Sequence, residues 1–455
     1  MNIFKSIPGE NKFFVESEME LGLARSRSEG TVINIFDNIE YQEVVGFGGA
    51  FTESAAYNYS LMDDKTKKEF IKMYFDRKDG IGYNVGRTHI NSCDFAIDIY
   101  SYIEDGDAEL TTFNIERDKK YIIPFIKDAL SYMDEELFLF ASPWSPPAFM
   151  KTNESVVGGG KLKDEYKKTW ARYFAKYIKA YAEEGITISG ITVQNEPNAD
   201  QTWESCCYSP EDEREFLEGY LIPTLDEEGL SDIKIMIWDH NKERAYDRAK
   251  EVLKSKTVND RVWAVAHHWY SGDHFDCLRL VYEDLHKPSF CTEFCGDIDS
   301  DATELAERYA KEMCNNFNNF EIGSCDWNLL LSTEGGPYHN RDAVSVAKPG
   351  VVFESKDRGC FAPVLYDKEK NEAVYTPVYY YIGHMSKFVK KGAKRIATSK
   401  YTDNIEVCGF KNPDNTVVLV MYNLSEYQLP AIVRKDGKCS EVTLEAHSAM
   451  TVVLD

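Results

Sequence analysis

Two glutamates stand where strand-like runs give out. Glu196 follows ITVQN and is followed at once by Pro197, within ITVQNEPNAD (191–200). Glu293 lies in PSFCTEF (288–294), a charge set among apolar residues. A carboxylate buried without a task is costly. A proline directly after a glutamate fixes the turn that aims its side chain. Paired carboxyl groups flanking a cleft are what cleavage of a glycosidic bond requires. One is protonated and donates to the leaving oxygen; the other is ionised and attacks or stabilises the anomeric carbon. Each glutamate also has a plainer reading: a solvated loop carboxylate for Glu196, half of a structural ion pair for Glu293.

Other strand ends carry residues that suit a sugar. Asp94 lies in NSCDFA, Trp144 in SPWSPP, Asn195 beside Glu196, and Asp239–His240 at the end of IKIMIWD. His268, Trp269 and Tyr270 close VWAVAHHWY, and Trp327 lies in GSCDWNLLL. Trp and Tyr offer walls for the apolar faces of a pyranose; Asp, Asn and His bind its hydroxyls. The plainer readings are a loop cap for Asp94 and simple packing for Trp144. His267 and His268 are neighbours on a strand, so at most one faces the same side as the glutamates. They lack the HExxH spacing of a metal pair, and no GxSxG elbow accompanies Asp239–His240. No metal and no cofactor is expected.

The elements that must position these residues alternate. Eight strand-like runs cover 44–51, 83–90, 136–143, 188–195, 233–239, 262–269, 288–294 and 323–331. Amphipathic stretches lie between them, at 63–76, 164–184, 209–225 and 302–317. The third opens with Ser209, Pro210 and an acidic first turn, an N-terminal cap signature. Alternation of this kind demands parallel strands joined by right-handed crossovers. Eight units point to an α/β fold, a closed (β/α)8 barrel, whose strands deliver catalytic residues at their carboxyl ends. An open doubly wound sheet is the alternative, but GFGGAF (46–51) lacks GxGxxG spacing. Beyond about residue 390 the helical pattern stops. Short strands at 404–410, 416–424, 441–447 and 449–455, with TVINIF (31–36), predict an all-β sandwich made from both chain ends. The expected division is residues 1–40 with 390–455 for the sandwich and 41–389 for the barrel.

The chain has 455 residues and a net charge of −24, which argues against nucleic acid and anionic membrane as partners. No run approaches a membrane span. Eleven cysteines at irregular spacings predict neither a disulfide framework nor a zinc site. With no secretory signal at MNIFKSIPGENKFF, a cytoplasmic location is expected. The oligomeric state is not encoded in any pattern.

Longer motifs add a resemblance. GFGGAFTESAA (46–56), INSCDFA (90–96), SPWSPPAFMKTN (142–153), VQNEP (193–197), AHHWY (266–270), TEFC (292–295), DWNLLLSTEGGP (326–337) and YYYIGHMSKFV (379–389) occur in that order. In them the chain resembles glycoside hydrolase family 30, its glucosylceramidase-like branch in particular. The resemblance implies a barrel with a sandwich from both termini and retaining hydrolysis of a β-linked glycoside or oligosaccharide. It implies Glu196 as acid/base, Glu293 as nucleophile, and Asp94, Trp144, Asn195 and Trp327 as ligands of the innermost sugar. It places His268 and Tyr270 near the nucleophile and Phe95 and Tyr208 at the mouth. Either Asn340 or Asp342 takes a further sugar-contacting role. The expected activity is an exo-acting β-glucosidase. A β-1,6-glucanase or β-xylosidase of the same family is the alternative, and a non-catalytic carbohydrate-binding protein is the alternative of another class.

Overall fold

A computed structural model describes residues 1–23, 30–339 and 359–454. Eight parallel strands close into a barrel. They are β1 (Gly46–Ala50), β2 (Val85–Ile90), β3 (Phe138–Pro143), β4 (Gly190–Thr192), β5 (Lys234–Asn241), β6 (Val262–His268), β7 (Ser289–Glu293) and β8 (Glu321–Asn328). Each pairs with the next in sequence, and β8 returns to β1. The eight expected runs are therefore the eight barrel strands, with ends shifted by a few residues. β4 is the shortest: past Thr192 the chain leaves the ladder before it reaches Glu196.

Close approach explains the glycines of the first run. A Cβ on Gly48 would sit 1.7 Å from the Val85 carbonyl oxygen, so no side chain fits there.

The helices are amphipathic as expected. Asp64–Phe75 buries Phe70, Ile71, Tyr74 and Phe75, and Asp63 accepts from the Thr66 N–H to cap it. Lys167–Glu183 and Ala302–Asn318 bury stripes of aromatic and aliphatic residues on the barrel wall. The helix expected over 209–225 differs. Ser209 and Asp212 form a capping box, and α-helix runs over Pro210–Phe216. A π-turn follows at Leu217–Leu221 before α-helix resumes at Ile222–Glu227. Pro223 lacks an N–H and crowds the carbonyl four residues back, which widens the turn in front of it.

A ten-stranded sheet built from both termini forms the sandwich. Its order is Lys12–Glu18, Asn2–Ile7, Ser448–Leu454, Val417–Asn423, Ile405–Lys411, Lys394–Lys400, Val32–Glu43, Leu429–Lys435, Lys438–Leu444 and Gly22–Leu23. The strand expected at 441–447 is Lys438–Leu444; beyond it His447 turns the chain with φ 48°. Leu429–Lys435 was not expected, because Pro430 reads as loop. The proline is tolerated because pairing with Val32–Glu43 begins only at Ile432.

His384, on the helix Pro377–Ser386, pins the two units together. Its Nδ1 meets Thr451 Oγ1 and its Nε2 meets Ser6 Oγ, both at 2.8 Å. Tyr381 adds a bond to the His447 carbonyl and Tyr422 one to the Tyr381 carbonyl. Burial holds the His384 imidazole neutral, its pKa lowered to about 3. The unfolded chain binds a proton below about 6.5 that the fold refuses, so this residue costs stability as pH falls. His384→Gln keeps donor and acceptor but does not titrate. Between pH 6.5 and 4 the unfolding free energy of the parent chain should fall more steeply than that of the variant, by up to about 1.4 kcal/mol per pH unit, and its melting temperature with it. Parallel melting curves over that range would contradict the neutral clamp.

Candidate active site

Alternation along the strands sets what reaches the barrel axis. Val85, Phe140, Ala266 and Phe290 share one apolar layer. Two residues further along the same strands come Arg87, Ser142, His268 and Thr292, on the same side by the period of two. β5 breaks the rhythm. Trp238 and Asp239 take left-handed backbone, with φ 75° and 53°, and the pairing with β6 slips between Ala266 and His267. This bulge turns Asp239 inward, three residues after the apolar Met236.

Arg87 is fully buried at the centre of this polar layer. One guanidinium nitrogen donates to Glu293 Oε2 at 2.5 Å and to the Thr292 carbonyl. Another donates to Asp239 Oδ2 at 3.0 Å and Asn195 Oδ1 at 2.8 Å, while Nε reaches Ser142 Oγ at 3.1 Å. The guanidinium carbon also lies 4.7 Å from the Trp144 ring centroid and 5.3 Å from that of Trp327. The sequence held a signal for it, a charged residue inside the apolar run YNVGRTHI, but nothing to say which carboxylates it would meet.

Glu196 is aimed by its backbone. It has φ 48°, its N–H donates to the Asp239 carbonyl at 2.9 Å, and the Asn195 N–H donates to the Pro143 carbonyl. Gln201 donates to Glu196 Oε2 at 3.1 Å. His268 Nδ1 lies 3.2 Å from Glu196 Oε1 and 4.0 Å from Glu293 Oε1, and its Nε2 lies 3.1 Å from Asp239 Oδ1. Ionised carboxylates only accept, so beside them both ring nitrogens would act as donors. Burial opposes a charge on the ring, but Glu293, Asp239 and Glu196 raise the pKa of His268 to about 9. Burial likewise opposes ionisation of Glu196, yet the bond and charge of His268 lower it to about 2. Burial also works against Asp239, and Arg87 and His268 hold it well below the usual carboxylate range. An oxygen of Glu196, an oxygen of Glu293 and a His268 nitrogen all lie within 4.8 Å of one another.

A pocket of about 320 Å³ opens above these groups, lined by Asp94, Trp144, Asn195, Glu196, Tyr270, Glu293 and Trp327. Tyr270 donates to Glu293 Oε1 at 2.8 Å. Trp144 and Trp327 stack at 5.2 Å. Among the described residues Asp94 Oδ1 and His240 Nδ1 are buried without a partner, which leaves them for a ligand. Burial, then the nearby Glu293 and Glu204, push the Asp94 carboxyl well above the usual range. Eight of the residues singled out, His240 among them, thus share one cavity, with His268 beneath it. His267 points the other way, to Glu321 at 3.0 Å.

Two of the residues expected at the mouth lie outside the cavity lining. Phe95 is buried behind the sugar wall, its ring edge-on to Trp327 at 6.0 Å, and does not line the pocket. Tyr208 is buried away from it against Phe216, at 6.2 Å, because its N–H is tied to the Pro197 carbonyl beneath the turn. Asn340 and Asp342 lie outside the described residues. Sequence reasoning missed Arg87, Gln201, Trp203, Asn241, Cys295 and Cys360, of which all but Arg87 line the cavity. Their loops follow no periodic pattern.

A parallel barrel that holds two carboxyl groups together over a tryptophan-walled, sugar-sized cavity has the architecture of an O-glycosyl hydrolase. Its β-sheet companion narrows the class. Residues 44–389 match the glycosyl hydrolase family 30 TIM-barrel domain and 392–452 the glycosyl hydrolase family 30 beta sandwich domain. The chain belongs to glycoside hydrolase family 30. It is 30% identical to lysosomal acid glucosylceramidase of Mus musculus, over 91% of this chain and 82% of that protein. The structure of SrfJ from Salmonella typhimurium superposes with a TM-score of 0.93 at 34% identity, over 99% of this chain and 98% of that one. An endo-β1,6-glucanase structure superposes with a TM-score of 0.86 at 26% identity, over 99% and 98%. Among the described residues no helix is long and apolar enough to cross a membrane.

Removing one partner from a buried ion pair leaves a charge uncompensated, at a cost of about 3–5 kcal/mol. Arg87→Met should therefore lower the melting temperature well beyond any surface substitution; an unchanged melt would contradict the buried network. The His268 charge gives a second outcome. Its pKa is raised in the fold, so its stabilisation is complete below about 6.5 and is lost as pH rises through about 9. Melting temperature should fall over pH 6.5–9 in the parent chain and less in His268→Gln.

Proposed function

We propose that the chain is a retaining, exo-acting β-glucosidase in which Glu293 is the nucleophile and Glu196 the acid/base. The observation that carries this reading is the convergence of Glu196 and Glu293 oxygens to within 4.8 Å. Retaining pairs stand ~5–5.5 Å apart, whereas inverting pairs need ~6.5–9.5 Å to admit a water between them. The cavity, about 320 Å³, is at the small end of ligand sites, ~300–1,000 Å³, and suits one terminal sugar better than a long polymer.

Charge bookkeeping supports a sequence of steps. With Glu196, Glu293 and Asp239 ionised and Arg87 and His268 charged, the site carries one net negative charge. The proton that Glu196 must deliver therefore rests on His268, 3.2 Å away. When a sugar displaces water from the cavity, ion pairs lose solvation and that proton passes to Glu196 Oε1. Glu293 then attacks the anomeric carbon while Glu196 protonates the departing oxygen. Arg87 and Tyr270 orient the attacking carboxylate from both oxygens. In the second half Glu196, again ionised, takes a proton from water, which attacks the anomeric carbon and frees Glu293. Net charge stays constant throughout, which keeps a buried site from accumulating charge. Asn195, held by Arg87, is placed for the sugar 2-OH, a contact that strengthens as the oxocarbenium ion develops.

A second reading, an endo-acting β-1,6-glucanase, is favoured by the near-complete superposition on an enzyme of that name. A chromogenic β-glucoside and a β-1,6-glucan separate the two: terminal glucose alone supports the first, internal fragments the second.

Glu293→Gln should abolish turnover with the fold intact, and Glu196→Gln should lose ~10²–10⁴-fold on substrates with poor leaving groups but much less on activated aryl glycosides. Full activity of Glu293→Gln, or an equal loss on both substrate types in Glu196→Gln, would overturn the assignment.

A further inference from the structure

Two thiols share the cavity with the carboxylates. All eleven cysteines are free, and Cys295 Sγ and Cys360 Sγ lie 3.7 Å apart. Both line the cavity beside Glu293. Their backbones are already clamped side by side. The Ile298 N–H donates to the Gly359 carbonyl at 2.9 Å, and the Phe361 N–H donates to the Gly296 carbonyl at 2.8 Å. Cys295 follows Glu293 by two residues, and its sulfur also touches the Tyr270 hydroxyl at 3.4 Å. That hydroxyl is the one that donates to Glu293 Oε1.

We propose that Cys295 and Cys360 form an oxidisable dithiol, a modification site through which a peroxide entering the cavity turns the enzyme down reversibly. The thiols are in contact, are reachable from the cavity, and are held by backbone pairing that leaves only the sulfurs to move. Cys295 Sγ is engaged by the Tyr270 hydroxyl, so Cys360 is the thiol that reacts first. Its thiolate attacks one peroxide oxygen. An S–O bond forms, the O–O bond breaks, and the departing hydroxide takes a proton to become water. Cys295 then attacks the sulfenic sulfur; an S–S bond forms, the S–O bond breaks, and the second hydroxide leaves as water with the Cys295 proton. Two thiols and one hydrogen peroxide give one disulfide and two waters, the sulfurs losing the two electrons that the peroxide gains. A disulfide needs its sulfurs ~2.05 Å apart, against 3.7 Å here. Closing that gap draws Cys295 away from Tyr270 and tightens the wall beside Glu293.

The effect on rate rests on the proposed role of Glu293; the bridge itself does not. The test is therefore read twice. The purified full-length chain is titrated with hydrogen peroxide, digested without reduction and mapped by mass spectrometry, while hydrolysis of a chromogenic β-glucoside is followed before and after dithiothreitol. The expected result is a 295–360 cross-linked peptide that appears in step with a loss of roughly tenfold or more in kcat/KM, the scale of one hydrogen bond to a charged group, and that dithiothreitol reverses. Cys360→Ser, compared only with itself before and after peroxide, should hold its activity. No cross-linked peptide at peroxide levels that inactivate the parent chain would overturn the proposal, and so would a full yield of it with unchanged kcat/KM. A chain that forms the bridge yet never hydrolyses the glucoside would instead count against the substrate reading above.

Discussion

Arg87 carries a full positive charge on the barrel axis with no solvent to share it. That is tolerable only because Glu293, Asp239 and Asn195 meet it at hydrogen-bond distance and two indole rings stand over it. The dependence runs in both directions. Glu293 is buried at the end of β7, where one of its oxygens accepts from the guanidinium. Asp239 reaches the axis only through a strained bulge in β5, and the bond to Arg87 is part of what holds that bulge in place. The barrel thus buries a polar layer on top of an apolar one, and the polar layer is satisfied almost entirely by itself.

His268 links that layer to the cavity. It lies within 4.0 Å of Glu196, Glu293 and Asp239 together. Buried between three carboxyl groups, it meets one oxygen of Glu196 at 3.2 Å. Gln201 occupies the other oxygen, so Glu196 has little freedom to swing. Positioning of this kind removes reorganisation from the chemical step. Glu196 itself sits at φ 48°, a conformation few side chains adopt, and the bond from its N–H to β5 holds it there.

Much of the fold was legible because alternation of period two and period 3.6 is written locally. The eight barrel runs, the cap at Ser209 and the β-rich carboxyl end are all of this kind. Residues just past strand ends could be gathered into one site for the same reason: barrel topology carries every strand end to one mouth. Where the sequence failed, the cause was three-dimensional. Arg87 lies within a strand rather than after it, and its partners are up to 206 residues away. Phe95 and Tyr208 are aromatic residues near the mouth in sequence, but one packs behind a tryptophan and the other is drawn under the Pro197 turn. Pro223 lies inside the helix expected over 209–225 and widens it, and Pro430 lies in a strand that was not expected. The thiol pair joins a residue two past Glu293 to a distant loop, and no spacing rule reaches across that interval.

The central claim is that residues 196 and 293 act on opposite sides of one bond of one sugar. A 2-deoxy-2-fluoro-β-glucoside with a good leaving group slows the second half of such a reaction more than the first. Incubation followed by peptide mapping should find a single fluoroglucosyl group esterified to Glu293, with Glu196 unmodified. A label on any other residue, or rapid release of product with inverted anomeric configuration, would contradict it.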